Sequence, residues 1–265
     1  MPEGDTLFRT AAGLRPYLVG RTVTAARTAG PGAVPQVARI VGREITAVES
    51  LGKNLLIRFD NGLELRTHLR MNGSWHRYRP GERWRRPESR ARLVIEVPGA
   101  VAVCFDAPVV ELFEQRAATL HPGLAPLGPD LLDPDWGPGH AQEAFRRLRD
   151  PDRAVRTISE ALLDQRALAG IGNIWRNETL FAERVDPFAR VADVDDATLE
   201  RLVATARRLL RGSVSVPAGR APLAVYRRAG RPCRRCGTLL QTRPLPGELP
   251  RTTYWCPTCQ PATEG

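Results

Sequence analysis

Leu7, Ala11, Leu14 and Leu18 recur at three- and four-residue spacing within residues 5–19, the stripe of an amphipathic helix. From about residue 20 to 115 the period shortens. β-type runs centre on Val23, Ile40, Ile45, 55–57, 63–65, 93–95 and 101–103. Asp60-Asn61-Gly62, Asn72-Gly73, Arg79-Pro80-Gly81 and Pro98-Gly99 punctuate them as turns. Short strands with little helix between them predict a sandwich or barrel-like β domain. Residues 120–140 are crowded with Pro and Gly and read as a domain linker. Helical periodicity returns in 141–150, 157–168, 173–184 and 196–212, the last opened by Asp195-Asp196 and closed by Gly212. Residues 213–225 read as a short irregular connection, and 226–260 hold two cysteine pairs. The pattern predicts an α+β multidomain chain divided as 1–119, 120–140, 141–225 and 226–260.

Composition narrows the function. The 265 residues are 42% hydrophobic and 26% charged, as in soluble globular proteins. No run of 18 apolar residues suggests a membrane span, and the acidic start Met1-Pro2-Glu3-Gly4-Asp5 lacks the basic region of a secretory signal. A cytoplasmic protein is expected. The net charge of +10 favours a polyanionic partner: DNA, RNA or an anionic membrane surface. Of the 39 Lys and Arg residues, one is lysine, Lys53. Either one lysine remains by chance in an arginine-biased chain, or this position needs an amine that gives and takes a proton, which arginine does not.

Cys104 lies in an apolar stretch and reads as a small core residue. The other four cysteines form Cys233-Arg234-Arg235-Cys236 and Cys256-Pro257-Thr258-Cys259, separated by the nineteen residues 237–255. Two such pairs suit a closed, structural zinc site of four thiolates with a β-hairpin between them; the alternative is two disulfides, which a cytoplasmic setting disfavours. Arg243, Arg251, Tyr254 and Trp255 on that hairpin form a plausible phosphate clamp.

Two further segments carry chemistry. Gly170-Ile171-Gly172-Asn173 joins two helical stretches, with Asn173 placed to cap the second and the exposed N–H groups suited to a phosphate. An ordinary glycine-rich helical turn is the alternative. At the chain start, a small residue after Met1 permits removal of the methionine. A free proline amine at Pro2 could then attack an electrophilic sugar carbon, with Glu3 beside it as a proton donor; the alternative, and the stronger reading of these residues alone, is that Met-Pro-Glu is only a start sequence.

Met1-Pro2-Glu3-Gly4, Gly52-Lys53-Asn54, His68-Leu69-Arg70-Met71-Asn72-Gly73-Ser74, Leu163-Asp164-Gln165 through Gly172-Asn173, Val225-Tyr226 through Cys236-Gly237 and Arg251 through Gln260 occur in this order. Together they resemble the formamidopyrimidine-DNA glycosylase/endonuclease VIII family from end to end. The resemblance implies an N-terminal helix and catalytic β-sandwich, a helix–two-turn–helix DNA-binding domain and a C-terminal zinc hairpin, with DNA in the cleft between domains. It implies one structural zinc ion on Cys233, Cys236, Cys256 and Cys259. By matching positions, Pro2 is the nucleophile toward C1′, Glu3 the acid assisting sugar opening, and Lys53 the general acid/base. Arg251 is the hairpin residue on the phosphates, with a part in the second elimination. Asn173 is a phosphate ligand, Arg70 contacts DNA, and Met71 is the wedge that fills the gap left by a flipped nucleotide. The expected partner is double-stranded DNA with oxidised or abasic lesions, bound by a monomer associated with the nucleoid.

The Gly4 start and the Tyr254-Trp255-Cys256-Pro257 finger resemble the endonuclease VIII branch. Residues 106–111 lack the Arg-Arg-Phe wedge of the formamidopyrimidine branch, and 213–225 is short for that branch's capping loop. These features imply oxidised pyrimidines as substrates and β,δ-elimination. Other features depart from that pattern: His68-Leu69-Arg70-Met71 resembles the formamidopyrimidine branch. Asp5-Thr6 replaces the family's Pro-Glu, and Pro126 stands where some relatives carry a DNA-contacting arginine. An oxidised-purine glycosylase, a non-catalytic DNA-binding protein on the same scaffold, and an RNA-binding or ribosome-associated zinc-ribbon protein are the competing readings.

Overall fold

The computed structural model describes residues 2–29, 34, 36–245 and 251–262. Met1 of the opening motif and residues 246–250 within the cysteine-bearing segment lie outside the described residues. The chain divides into two compact units, Met1–Pro2 with Thr6–Pro126, and Glu3–Asp5 with Leu127–Gly265.

The first unit is a β-sandwich with one helix. Helix α1 (Gly4–Leu18) buries Leu7, Ala11, Leu14 and Leu18, the stripe its spacing predicts. One antiparallel sheet has the order β1 (Ala25–Arg27), β6 (Ala91–Val97), β7 (Ala100–Phe105), β5 (Ser74–Tyr78). The other has the order β2 (Ile45–Leu51), β3 (Asn54–Phe59), β4 (Leu63–His68), β8 (Val109–Glu114). Alternate residues Leu55, Ile57, Phe59, Leu63 and Leu65 meet Leu93, Ile95, Ala102 and Cys104 in one core, which α1 joins. Trp75 Nε1 donates to Thr67 Oγ1 at 2.9 Å from one sheet to the other. The structure thus settles the choice between sandwich and barrel. The other face of β6 and β7 is also buried, with Val94, Val103 and Phe105 packed beside Tyr78 and Trp84. Cys104 is fully buried, as its apolar neighbours imply.

Two details differ from the hydrophobic pattern. Ile40 ends a short 3-10 helix (Val37–Ile40) rather than a strand, since one buried side chain in four residues needs no ladder. Strands β5 and β8 lie in stretches whose mixed polar and aromatic residues hide the alternation.

The second unit contains α2 (Pro138–Leu148), α3 (Ile158–Leu163), α4 (Asn173–Ala182), α5 (Asp196–Val214) and an antiparallel hairpin of β9 (Gln241–Leu245) and β10 (Arg251–Trp255). Pro138 opens α2, where a missing N–H costs nothing. Thr157 and Glu160 form a capping box on α3. That helix stops at Leu163 because Asp164 Oδ1 accepts from Arg166 N at 2.9 Å and turns the chain. Asp195 caps α5 through Thr198 N at 2.8 Å. Helix α5 runs through Gly212 to Val214, so that glycine is not its stop. Within residues 120–140, Leu131 and Leu132 are buried, and Asp130 bridges in parallel to Ala169. Among the described residues no helix is long and apolar enough to cross a membrane.

Candidate active site and nucleic-acid interface

In the first unit, Lys53 sits in the two-residue turn of the β2–β3 hairpin, which Leu51 and Asn54 close as a register pair. Gly52 supplies the left-handed backbone (φ 58°) that the turn requires. Lys53 is buried, although it lies in a turn. Asn54 pairs across the next strand with His68. Burial, reinforced by the charges of Arg66, Lys53 and Arg70, pushes His68 down to about 4, so this ring is neutral near pH 7.

The β4–β5 turn presents Arg70 and Met71. Met71 is 58% exposed, an unusual place for a large apolar side chain and one suited to a wedge. Arg70 adopts φ 44°, and its N–H donates to His68 Nδ1 at 3.3 Å. Gly73 closes this turn: a Cβ there would lie 2.6 Å from Leu69 O and 3.1 Å from Ala107 Cα. Pro2 is half-buried.

In the second unit, Glu3 is seated at the N-terminus of α4. Ile174 N donates to Glu3 Oε1 at 2.8 Å, and Trp175 N lies 3.4 Å from Oε2. These are orphan donors of the helix's first turn, which the two carboxyl oxygens satisfy. Gly172 makes the seat possible, since a Cβ at that position would fall 2.2 Å from Glu3 Cδ. Gly4 N donates to Gly170 O at 2.8 Å, and Ser213 Oγ donates to Asp5 Oδ2 at 3.1 Å. The carboxylate that the Asp5-Thr6 sequence offers in place of Pro-Glu is therefore turned toward α5.

Helix α4 also carries the hairpin. Asn173 Nδ2 donates to Thr252 O at 3.1 Å, next to Arg251. Asn177 Oδ1 accepts from Tyr254 N at 2.8 Å. Between them the fully buried Arg176 donates to Asn173 Oδ1 at 2.7 Å and to Thr252 O and Thr253 Oγ1 at 3.2 Å. Burial, then the charge of Arg251, lowers Arg176 to about 10. Glu178 receives the N–H groups of Ala224, Val225 and Tyr226 at 2.7–3.0 Å. Gln260 Nε2 donates to Val185 O at 2.8 Å. Glu3, Asn173 and the start of β10 are thus gathered at one end of α4.

The sulfurs of Cys233, Cys236, Cys256 and Cys259 all lie within 4.8 Å of one another, a group able to hold a metal ion. None of the four is disulfide-bonded: Cys236 and Cys256 stand 3.4 Å apart and Cys233 and Cys259 4.0 Å apart, beyond the S–S bond length, an arrangement that favours a shared metal over two disulfides.

Two sequence profiles match the chain: the formamidopyrimidine-DNA glycosylase N-terminal domain over residues 1–108 and the formamidopyrimidine-DNA glycosylase H2TH domain over 127–222. A protein of Streptomyces coelicolor named probable endonuclease 8 2 is 40% identical over 98% of this chain and 94% of its own. The chain belongs to the formamidopyrimidine-DNA glycosylase/endonuclease VIII family. Within that family it is also 40% identical to the DNA-(apurinic or apyrimidinic site) lyase Nei2 of Mycolicibacterium smegmatis, over 99% of this chain and 100% of that one. Endonuclease 8 of Escherichia coli is 31% identical over 98% of this chain and 100% of its own. The fold matches the Lactococcus lactis formamidopyrimidine-DNA glycosylase solved with DNA containing an abasic site. That match has a TM-score of 0.84 at 20% identity, over 98% of this chain and 100% of that one.

The structure gathers some of the residues singled out in the sequence and adds others. Glu3 and Asn173 meet at the α4 terminus, and the four cysteines meet in one cluster. Ser213, Arg66 and Arg176 were not singled out. Gly172 left a signal, as the glycine preceding Asn173, but its reason is the Glu3 side chain far away in sequence.

Proposed function

We propose that the protein is a bifunctional DNA glycosylase and abasic-site lyase of base excision repair, acting in the cytoplasm on double-stranded DNA with oxidised pyrimidines. The observation that carries this is the chain start: Glu3 is held with 1% exposure at the α4 N-terminus, which fixes the residue immediately behind Pro2. With Met1 removed, the Pro2 nitrogen bonds to C1′ of the damaged nucleotide as the base leaves. Glu3 supplies the proton that opens the sugar at O4′, giving an iminium. Loss of the C2′ proton expels the 3′ phosphate, and the second elimination expels the 5′ phosphate. Lys53 moves protons at the base and sugar, Asn173 and Arg251 hold phosphate oxygens, and Arg70 and Met71 hold the duplex around the extruded nucleotide. The connection from Ser215 to Val225 and the lack of an Arg-Arg-Phe wedge at 106–111 favour pyrimidine lesions.

The four cysteines fit zinc. A tetrahedron with Zn–S bonds of about 2.3 Å sets S···S distances near 3.8 Å. Cys233 and Cys259 are 4.0 Å apart, and Cys236 and Cys256 are 3.4 Å apart. The ion would cross-link the hairpin and take no part in the reaction.

Borohydride reduction during turnover tests the proposal. A covalent adduct between Pro2 and an oxidised-pyrimidine duplex is expected, with the protein's processed start read by mass spectrometry. A protein that binds the duplex but yields no adduct would be the non-catalytic binder. Lys53→Arg keeps the charge and should lose most base release; near wild-type release would remove Lys53 from the reaction.

A further inference from the structure

The Lys53 turn is closed from inside by its neighbour Asn54, which is 2% exposed. Asn54 Nδ2 donates to Leu51 O at 3.0 Å, across the turn. Its Oδ1 faces the next strand and accepts from Arg66 Nε at 2.9 Å. Arg66, on β4, is itself buried, and its Nη1 donates to Glu111 Oε2 at 2.6 Å on β8. The same Glu111 oxygen lies 3.3 Å from His121 Nε2, and His121 Nδ1 accepts from Gly123 N at 3.1 Å. The His121 ring packs on Phe113 with centroids 4.4 Å apart. Gly123 lies over the guanidinium: a Cβ there would fall 2.4 Å from Arg66 Cζ.

We propose that Arg66 is a positioning residue for the reaction, holding the Lys53 turn through Asn54, and that the segment 121–123 at the end of the first unit locks it in place. The proposal rests on the role given to Lys53 above. Three features favour it over a plain buried ion pair. The guanidinium spends its Nε on the one residue that both adjoins Lys53 and closes its turn. Its partner Glu111, although half-exposed, is also met by His121, whose Nε2 lies 3.3 Å from the same oxygen. The chain above it is glycine, where any side chain would displace the guanidinium. Without Arg66, the Asn54 amide loses one of the two bonds that orient it, and the Lys53 amine loses its defined place. A displacement of about 1 Å at a reacting group lowers a rate by about 100-fold.

The test uses the full chain with Arg66→Met and, separately, Gly123→Ala, which keeps the arginine and only displaces it. Base release from an oxidised-pyrimidine duplex should fall about 10- to 100-fold in both variants. Nicking of a preformed abasic site and affinity for a duplex carrying an uncleavable abasic analogue should stay within about threefold of wild type, because Pro2 and the phosphate contacts are untouched. In a Lys53→Met background, Arg66→Met should then slow base release no further, since residues acting through one group are not additive. Base release within about threefold of wild type in both variants would overturn the proposal. So would a parallel fall of all three activities, or an additional loss of about tenfold in the Lys53→Met background. If Arg66→Met melts more than about 10 °C early, Gly123→Ala decides. A wild-type protein that releases no base sinks the lysine's role and this proposal with it, whereas active wild type with indifferent variants sinks only this one.

Discussion

Replacing Gly172 with alanine isolates the seat of Glu3. The backbone there is extended (φ −129°, ψ −162°), so alanine adds no conformational strain. The effect is one of space. The new methyl would sit 2.2 Å from Glu3 Cδ and 2.6 Å from Oε1, where ordinary contacts are 3.4–4 Å. The carboxylate must therefore move by more than about an ångström or push α4 away. Either way Ile174 N loses its 2.8 Å acceptor. A buried donor left without a partner costs about 1–3 kcal/mol. For a chain of this size, about 2 kcal/mol lowers Tm by about 4–8 °C. A proton donor displaced by about 1 Å slows the step it serves by about 100-fold, or about 2.7 kcal/mol of barrier. Single-turnover base release on an oxidised-pyrimidine duplex, with scanning calorimetry beside it, reads both effects. Gly139→Ala is the control, because a Cβ in that part of α2 meets nothing within 4 Å; it should leave the rate unchanged and hold or slightly raise Tm. If Gly172→Ala matches the control in both measurements, Glu3 is not seated at the α4 terminus in the working enzyme.

Two other consequences follow from the geometry. His68 is held near 4, against about 6.5 when unfolded, by burial and then by Arg66, Lys53 and Arg70. The folded state thus binds this proton less readily than the unfolded state. The stability His68 confers is complete above about pH 6.5 and is lost as pH falls toward about 4. The shift caps the effect at about 3 kcal/mol, and solvent screening of a partly exposed ring leaves about 1–2 kcal/mol. Urea unfolding from pH 7 to pH 4 should show this slope, and His68→Asn should flatten it; equal slopes would mean that the ring is not desolvated. Stripping the metal with a thiol-directed reagent should release about one zinc per chain and abolish DNA binding by disordering the hairpin. Protein purified without chelator that holds no zinc and still binds duplex would refute the cysteine assignment.

What the sequence made legible is what depends on local period and local chemistry. The α1 stripe, the core strands on either side of the Asp60-Asn61-Gly62 and Pro98-Gly99 turns, the last helix and the paired cysteines all follow from neighbours within a few residues. Ile40 did not, because a lone apolar residue between turns says nothing about ladder or helix; its burial after a left-handed Gln36 decides the matter. Gly212 resembled a stop, yet α5 runs on through it to Val214, which places Ser213 on the helix beside Asp5. Strand β8 was hidden because its alternation serves two purposes: Val110 and Leu112 pack on the core while Glu111 anchors Arg66.

The same distinction explains why the candidate residues stood out in the sequence while their supports did not. Pro2, Glu3 and Lys53 attract notice by residue type. Ser213 does not, and the motifs that mark Gly4, Asp5 and Gly172 do not disclose their purpose, which is a contact with a residue about 170 to 208 positions away. Yet these are the residues that limit how the chain start can move. Gly4 is hydrogen-bonded to Gly170 with no room for a Cβ, Glu3 caps α4, and Asp5 takes the Ser213 hydroxyl, so three consecutive residues behind Pro2 are fixed. A nucleophile at a chain terminus would otherwise lose its rotational freedom anew on each encounter with a sugar carbon. Fixing the three residues behind it removes much of that loss before substrate arrives. On the proposal that Pro2 is the nucleophile, the orientation of its amine is set by backbone and glycine geometry as much as by proline's own ring. A family member could exchange Pro-Glu for Asp-Thr at positions 5 and 6 without losing that orientation, provided that a hydroxyl such as Ser213 waits on α5 to receive the new carboxylate.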